Sequence, residues 1–136
     1  MTPSGTLTTL HVNSRANGYP IYEALLQATD GNFYGAASQG GLTKPFDGTF
    51  FKLAVGLHPF VQTVPTTSKV GQTIQILGQG LTGTTGVFFN GSSASYTVVS
   101  DTYLKASVPN GATSGFVTVA TPGGTLTSNT KFVIAP

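Results

Sequence analysis

The chain has 136 residues, of which 39% are hydrophobic and only 7% charged, and it carries a formal net charge of +2 with no cysteine and no tryptophan. This length fits one domain, or one domain with an appendage, and the hydrophobic content is high enough to offset chain entropy and disfavour disorder. Six basic residues scattered singly disfavour a phosphate-tracking nucleic-acid surface, and the lack of cysteine excludes a disulfide scaffold, a zinc-thiolate site and a cysteine nucleophile.

Charged residues are far below the usual ~25%, and threonine, serine, glycine and asparagine take over the solvent face, as is common in exported bacterial surface proteins. The N-terminus, Met1-Thr-Pro-Ser-Gly-Thr, shows no basic start followed by an apolar core. An extracellular or cell-surface location is expected, with the export signal outside this chain. No run approaches the roughly 20 apolar residues of a membrane span.

Thr6 to Val12 is β-branched and reads as a strand, and Asn13-Ser-Arg-Ala-Asn-Gly18 reads as a loop. Tyr19-Pro-Ile-Tyr22 leads into Glu23-Ala-Leu-Leu-Gln-Ala28, which prefers helix by propensity but is short, so helix and strand are both open. Thr29-Asp-Gly-Asn32 is a turn, and Asn32 to Ala36 and Thr49 to Leu53 are strands joined by a long glycine-rich connection. Ala54-Val-Gly-Leu-His-Pro59 marks a module boundary, after which Phe60 to Val64 reads as a strand.

Ile74 and Ile76 alternate with polar neighbours as in a half-buried strand, and Gly78 and Gly80 suit a bulge or a close backbone approach. Val87 to Phe89 ends in Asn90-Gly91, a type I′ hairpin signal. Tyr96 and Val98 share a face, Ser100-Asp101 supplies a turn, and Leu104, Ala106 and Val108 alternate up to Pro109. Val117 and Val119 follow, then the Pro122-Gly-Gly124 turn, and a last strand whose Phe132 and Ile134 face inward.

The runs Val70-Gly-Gln-Thr-Ile-Gln-Ile-Leu-Gly-Gln-Gly-Leu81, Val87-Phe-Phe-Asn-Gly91, Gly115-Phe-Val-Thr-Val119, Thr121-Pro-Gly-Gly-Thr125 and Lys131-Phe-Val-Ile134 closely resemble the IPT/TIG family, from about His58 to the C-terminus. The resemblance implies an immunoglobulin-like β-sandwich used for spacing, dimerisation or binding. Some members of that family contact DNA, a role the scarce arginine and scattered lysines disfavour here.

The upstream segments Leu26-Gln-Ala-Thr-Asp-Gly-Asn-Phe-Tyr-Gly35 and Gly48-Thr-Phe-Phe-Lys-Leu53 resemble one unit of a tandem repeat of roughly fifty residues from large exported bacterial proteins, whose units look like propeller blades. The expectation is therefore an all-β chain with a β-rich single repeat at residues 1–56 and the sandwich at 57–136. A solitary blade leaves Leu7, Leu10, Leu25, Leu26, Phe33, Phe50 and Phe51 to be covered, so a homo-oligomer, or tight docking of the repeat on the sandwich, is expected.

Chemistry is sparse. The only carboxylates are Glu23, Asp30, Asp47 and Asp101; the three aspartates read as turn residues, and Glu23 as a solvated strand-edge residue. The enzymatic alternative is a small glycoside hydrolase or accessory domain with Glu23 and either Asp30 or Asp47 as acid and base. Ala36-Ala-Ser38-Gln-Gly40 is a degenerate relative of the Gly-x-Ser-x-Gly elbow, but Gly40-Gly41 opposes the helix it needs, and His11 and His58 are out of order for a triad.

No metal-ligand spacing occurs and no cofactor is expected. The remaining lead is aromatic: Tyr19, Tyr22 and Tyr34 with Gln27 as a weak sugar-stacking set, in which either Phe33 or Tyr34 must point inward. The favoured reading is a noncatalytic module with a polysaccharide or protein partner and no nucleic-acid partner.

Overall fold

A computed structural model of the chain describes residues 9, 11, 12, 14, 16, 18, 24–41 and 47–136. They fall into two compact units, one comprising Met1–Gln27 with Phe33–Val55 and the other Ala28–Asn32 with Gly56–Pro136.

The first unit contains strands β1 (Leu26–Gln27), β2 (Phe33–Ala37) and β3 (Thr49–Leu53), hydrogen-bonded antiparallel in the order β1-β2-β3. Of the two conformations open to Glu23–Ala28, strand prevails at Leu26–Gln27. A six-residue helix would have to bear its nucleation cost with almost no propagation, whereas a strand there pairs at once with β2 (Leu26 opposite Tyr34, Gln27 opposite Phe33). β2 runs in unbroken register with β3, from Phe33 opposite Leu53 to Ala37 opposite Thr49. By strand alternation Leu26, Tyr34, Ala36, Phe50 and Lys52 share one face, and Gln27, Phe33, Gly35, Ala37, Phe51 and Leu53 the other. The strand expected over Thr6–Val12 lies mostly outside the described residues, and Thr9, His11 and Val12 belong to no strand.

The second unit begins with the Ala28–Asn32 turn, in which the Gly31 N–H donates to the Ala28 carbonyl at 3.0 Å and the Ala28 N–H to Asn32 at 2.9 Å. It continues through β4 (Gln62–Val64), β5 (Thr67–Ser68), β6 (Thr73–Leu77), β7 (Gly86–Phe89), β8 (Ser92–Ser93), β9 (Tyr96–Ser100), β10 (Tyr103–Ser107), β11 (Val117–Thr121), β12 (Gly124–Thr127) and β13 (Val133–Ile134). One sheet has the order β4-β6-β10-β9 and the other β12-β11-β7-β8, while β13 pairs with β5 in parallel.

The two sheets bury one shared core. Ile74 and Ile76 of β6, Leu104 and Ala106 of β10, Val87 and Phe89 of β7 and Val117 and Val119 of β11 point into it, joined by Val61, Leu81, Val108 and Phe132. This is the alternation that a strand with one wet and one dry face requires, and the arrangement is an immunoglobulin-like sandwich. Phe89 and Phe132 meet edge to face, ring centroids 5.2 Å apart at 80°, an orientation in which the positive edge of one ring meets the negative face of the other.

The Asn90-Gly91 hairpin forms as its sequence dictates: Phe89 pairs with Ser92, and φ is +45° at Asn90 and +89° at Gly91, both positive as a type I′ turn demands. Three features depart from the local reading. The strand expected from Phe60 starts only at Gln62, because Val61 pairs instead with the opposite sheet, donating its N–H to the Thr127 carbonyl and accepting from Asn129, each at 3.2 Å. β9 carries a bulge: Val98 pairs with Leu104 and Ser100 with Tyr103, leaving Val99 unpaired and 54% exposed. The final strand shrinks to Val133–Ile134, since the Phe132 backbone pairs with Gly115 in an isolated antiparallel bridge while Val133 and Ile134 pair with β5.

Candidate functional site

Of the residues proposed from sequence, Tyr19, Tyr22 and Glu23 lie outside the described residues. Tyr34 is half-buried on β2 and stacks on Phe50 of β3, centroids 5.7 Å apart and planes inclined by 17°. β2 and β3 bring the two rings together because Ala36, not Tyr34, is directly opposite Phe50; Tyr34 reaches it diagonally, a distance that aromatic side chains span. Phe50 is 76% exposed, and Leu26, 70% exposed, lies on the same face. Lys52, also exposed, stands directly opposite Tyr34 in the β2–β3 register.

Gln27 is exposed on β1 but on the other face, so the sheet does not bring it to the Tyr34 ring. Phe33 takes that other face too, so the two adjacent aromatics part company as alternation requires. The sequence places Phe50 in an apolar patch that needs cover. Its alternation with Phe51 signals that one of the two rings faces out, but the stack on Tyr34 depends on a pairing register that no local signal carries.

Asp30 sits in the turn before β2, its carboxylate accepting the Asn32 N–H at 3.0 Å and the Asn32 side-chain amide at 2.8 Å. Asp47 is exposed and forms an isolated bridge with Gly40. Asp30 belongs to the second unit and Asp47 to the first. Ser38 is exposed just after β2, and Gly40 and Gly41 behind it have φ of +101° and +111°, a backbone that cannot begin a right-handed helix. His11 and His58 are exposed. Among the described residues no group of three or more His, Cys, Asp or Glu side chains could hold a metal ion, and no helix is long and apolar enough to cross a membrane.

Asp101 ties down the loop between β6 and β7. Its carboxylate accepts the Gly80 and Thr82 N–H groups, each at 3.2 Å, and its carbonyl accepts the Leu81 N–H at 2.8 Å. Hydrogen bonds from the Thr82 side chain and then from the Thr82 and Gly80 backbone favour the ionised form and hold its carboxyl below the ordinary carboxylate value, against a smaller opposing effect of desolvation. A depressed folded-state pKa contributes stability that is complete above the unfolded-state value and disappears as pH falls through the lower folded value. The difference in melting temperature between the parent chain and Asp101→Asn is therefore expected to be largest at neutral pH and to close below about pH 4. A gap that is constant from neutral to acid pH would show that the ionised carboxylate is not what holds the loop.

On the outer face of the β6-β10-β9 sheet, Thr73, Ser95, Thr97, Lys105 and Ser107 line a shallow depression of about 200 Å³. The Thr73 and Ser107 hydroxyls lie 3.3 Å apart within it.

No curated protein matches the chain. The strand order, the shared core and the hairpin at Asn90-Gly91 agree with the family match, which extends over residues 59–134 and so takes in more than half of the 136 residues. The chain belongs to the IPT/TIG domain family.

Proposed function

We propose that this chain is a module of an exported bacterial surface or secreted protein that binds polysaccharide through the aromatic face of its N-terminal sheet, with the IPT/TIG sandwich as its carrier. IPT/TIG domains are noncatalytic immunoglobulin-like modules of binding and spacing, and they mediate protein interactions. The division into a propeller-like repeat at 1–56 and a sandwich at 57–136 is part of this reading.

The observation that carries it is Phe50, 76% exposed yet stacked in parallel on Tyr34. A large ring held flat against a second ring offers a rigid apolar plate with little side-chain entropy left to lose, which suits the C–H face of a pyranose. Low charge agrees with a neutral, hydroxyl-rich ligand, which gains little from ion pairing.

The test is a glycan array with the intact chain, followed by titration of the best polymer against Phe50→Ala. A loss of tenfold or more in affinity is expected, about 1.4 kcal/mol. Undiminished binding by Phe50→Ala, or no binding to any glycan, would end the proposal. Turnover of a polymeric glycan that Glu23→Gln abolishes would replace it with the hydrolase reading, in which Glu23 acts with Asp30 or Asp47.

A further inference from the structure

A glycine after an asparagine marks a chemical weak point in a chain. The glycine nitrogen has no side chain beside it to shield it, so it can close on the asparagine Cγ. The sequence holds three such pairs, Asn17-Gly18, Asn90-Gly91 and Asn110-Gly111. Asn17 lies outside the described residues, whereas the other two pairs are exposed turns of the sandwich. The fold treats these two identical dipeptides differently. Asn90 is gripped: its side-chain amide donates to the Thr113 hydroxyl at 2.8 Å and to the Ser114 carbonyl at 3.4 Å, and its N–H donates to the Phe116 carbonyl at 2.9 Å. Its Cγ rests on Gly115, where a Cβ on that residue would collide with it. The pairing of β7 with β8 holds the turn from both sides. Asn110 has a looser setting. Its turn is closed by one bond, from the Ala112 N–H to the Pro109 carbonyl at 3.2 Å, with φ of +77° at Gly111 as a type II turn demands. No hydrogen bond holds the Asn110 side chain among the described residues.

We infer that Asn110 is a site of spontaneous deamidation in the folded protein, and that Asn90, with the same neighbour, is protected by its grip on residues 113–115. Hydroxide removes the Gly111 amide proton and the nitrogen attacks the Asn110 Cγ. The new N–Cγ bond replaces Cγ–Nδ2, and ammonia leaves with a proton from water. Water then opens the five-membered imide at one of its two carbonyls to give aspartate or isoaspartate, and nothing is oxidised or reduced. The attack requires the Asn110 side chain to swing over the following peptide bond, against only its own rotation and the single bond of the turn. At Asn90 the same swing breaks two side-chain hydrogen bonds and lifts the amide off Gly115. The product is penalised there as well, since a carboxylate in place of the amide would face the Ser114 carbonyl with no proton to share. Each event at Asn110 adds a carboxylate and lowers the formal net charge of +2 by one. The isoaspartate product also routes the backbone through the side chain, lengthening the connection between Val108 of the core and Ala112 packed against it. This inference does not depend on the glycan reading.

The experiment is incubation of the intact chain at mildly alkaline pH, followed by peptide mapping in acid and mass spectrometry at both asparagines. In the folded chain Asn110 is expected to convert at least tenfold faster than Asn90. In urea concentrated enough to unfold the chain the two rates should converge, because the dipeptides are the same. Thr113→Val removes the acceptor of the shorter bond at an exposed position, and circular dichroism verifies that the fold stands. It should raise the Asn90 rate at least threefold and leave the Asn110 rate unchanged. Equal conversion of the two sites in the folded chain overturns the inference, as does an Asn110 that converts only when the chain is unfolded. A difference that persists in urea would assign the selectivity to neighbouring sequence rather than to the fold, and an unchanged Asn90 rate in Thr113→Val would show that the grip is not what protects it; either result overturns the inference too.

Discussion

Replacing Phe132 with alanine is expected to remove about 3–5 kcal/mol from the stability of the sandwich. Phe132 is 1% exposed, sits edge to face against Phe89, and closes the core from the chain that runs into β13. Its backbone is held on both sides by Gly115, donating to the Gly115 carbonyl at 2.8 Å and accepting the Gly115 N–H at 3.0 Å. Pinned there, the segment cannot move inward to fill the space the ring leaves, and the cost of a cavity rises with the part that fails to collapse. Domains of this kind are stable by only about 5–15 kcal/mol, so the variant should unfold at a much lower urea concentration while the steepness of the transition is preserved. Phe132→Leu, which retains most of the volume, should recover a large part of the loss. A change below about 1 kcal/mol for alanine would place the centre of the core elsewhere.

The second large effect is expected at Gly31. This residue has φ of +84°, and a Cβ added to it would press on the carbonyl oxygens of Leu57 and His58. Alanine in left-handed backbone costs about 1–2 kcal/mol on its own, and the contact adds to this because its neighbours are backbone atoms that cannot rotate aside. The same turn supplies the Thr29 carbonyl that accepts the Phe60 N–H at 2.9 Å. Gly31→Ala should therefore speed amide exchange at Phe60 while amides in the core strands β6 and β10 remain protected. Gly31→Asn divides the two causes, since asparagine tolerates left-handed backbone but not the crowding. Wild-type exchange at Phe60 in both variants would mean that the turn has room for a side chain.

Part of this protein could be read from short stretches of chain. The alternation at Ile74 and Ile76, at Leu104, Ala106 and Val108, and at Val117 and Val119 identifies the dry face of each strand before any partner is known, because period two is a property of the strand itself. Asn90-Gly91 specifies its hairpin through its own dihedral preferences, and Asp30 binds a backbone amide two residues away. What only the tertiary structure decided depends on partners distant in sequence. Leu26–Gln27 is a strand because β2 lies beside it, Val61 leaves its own sheet for Ser128, and β5 exists only through β13. Asp101 was legible as a corner residue, whereas the loop it holds begins 21 residues earlier, at Gly80. The candidate site divides in the same way: sequence singles out Tyr34, but the register of β2 on β3 selects Phe50 as its stacking partner and turns Gln27 to the opposite face. Local dihedral and solvation preferences are written residue by residue, whereas the free energy that chooses among pairings is released only when distant segments bury each other's surface and bond each other's backbone.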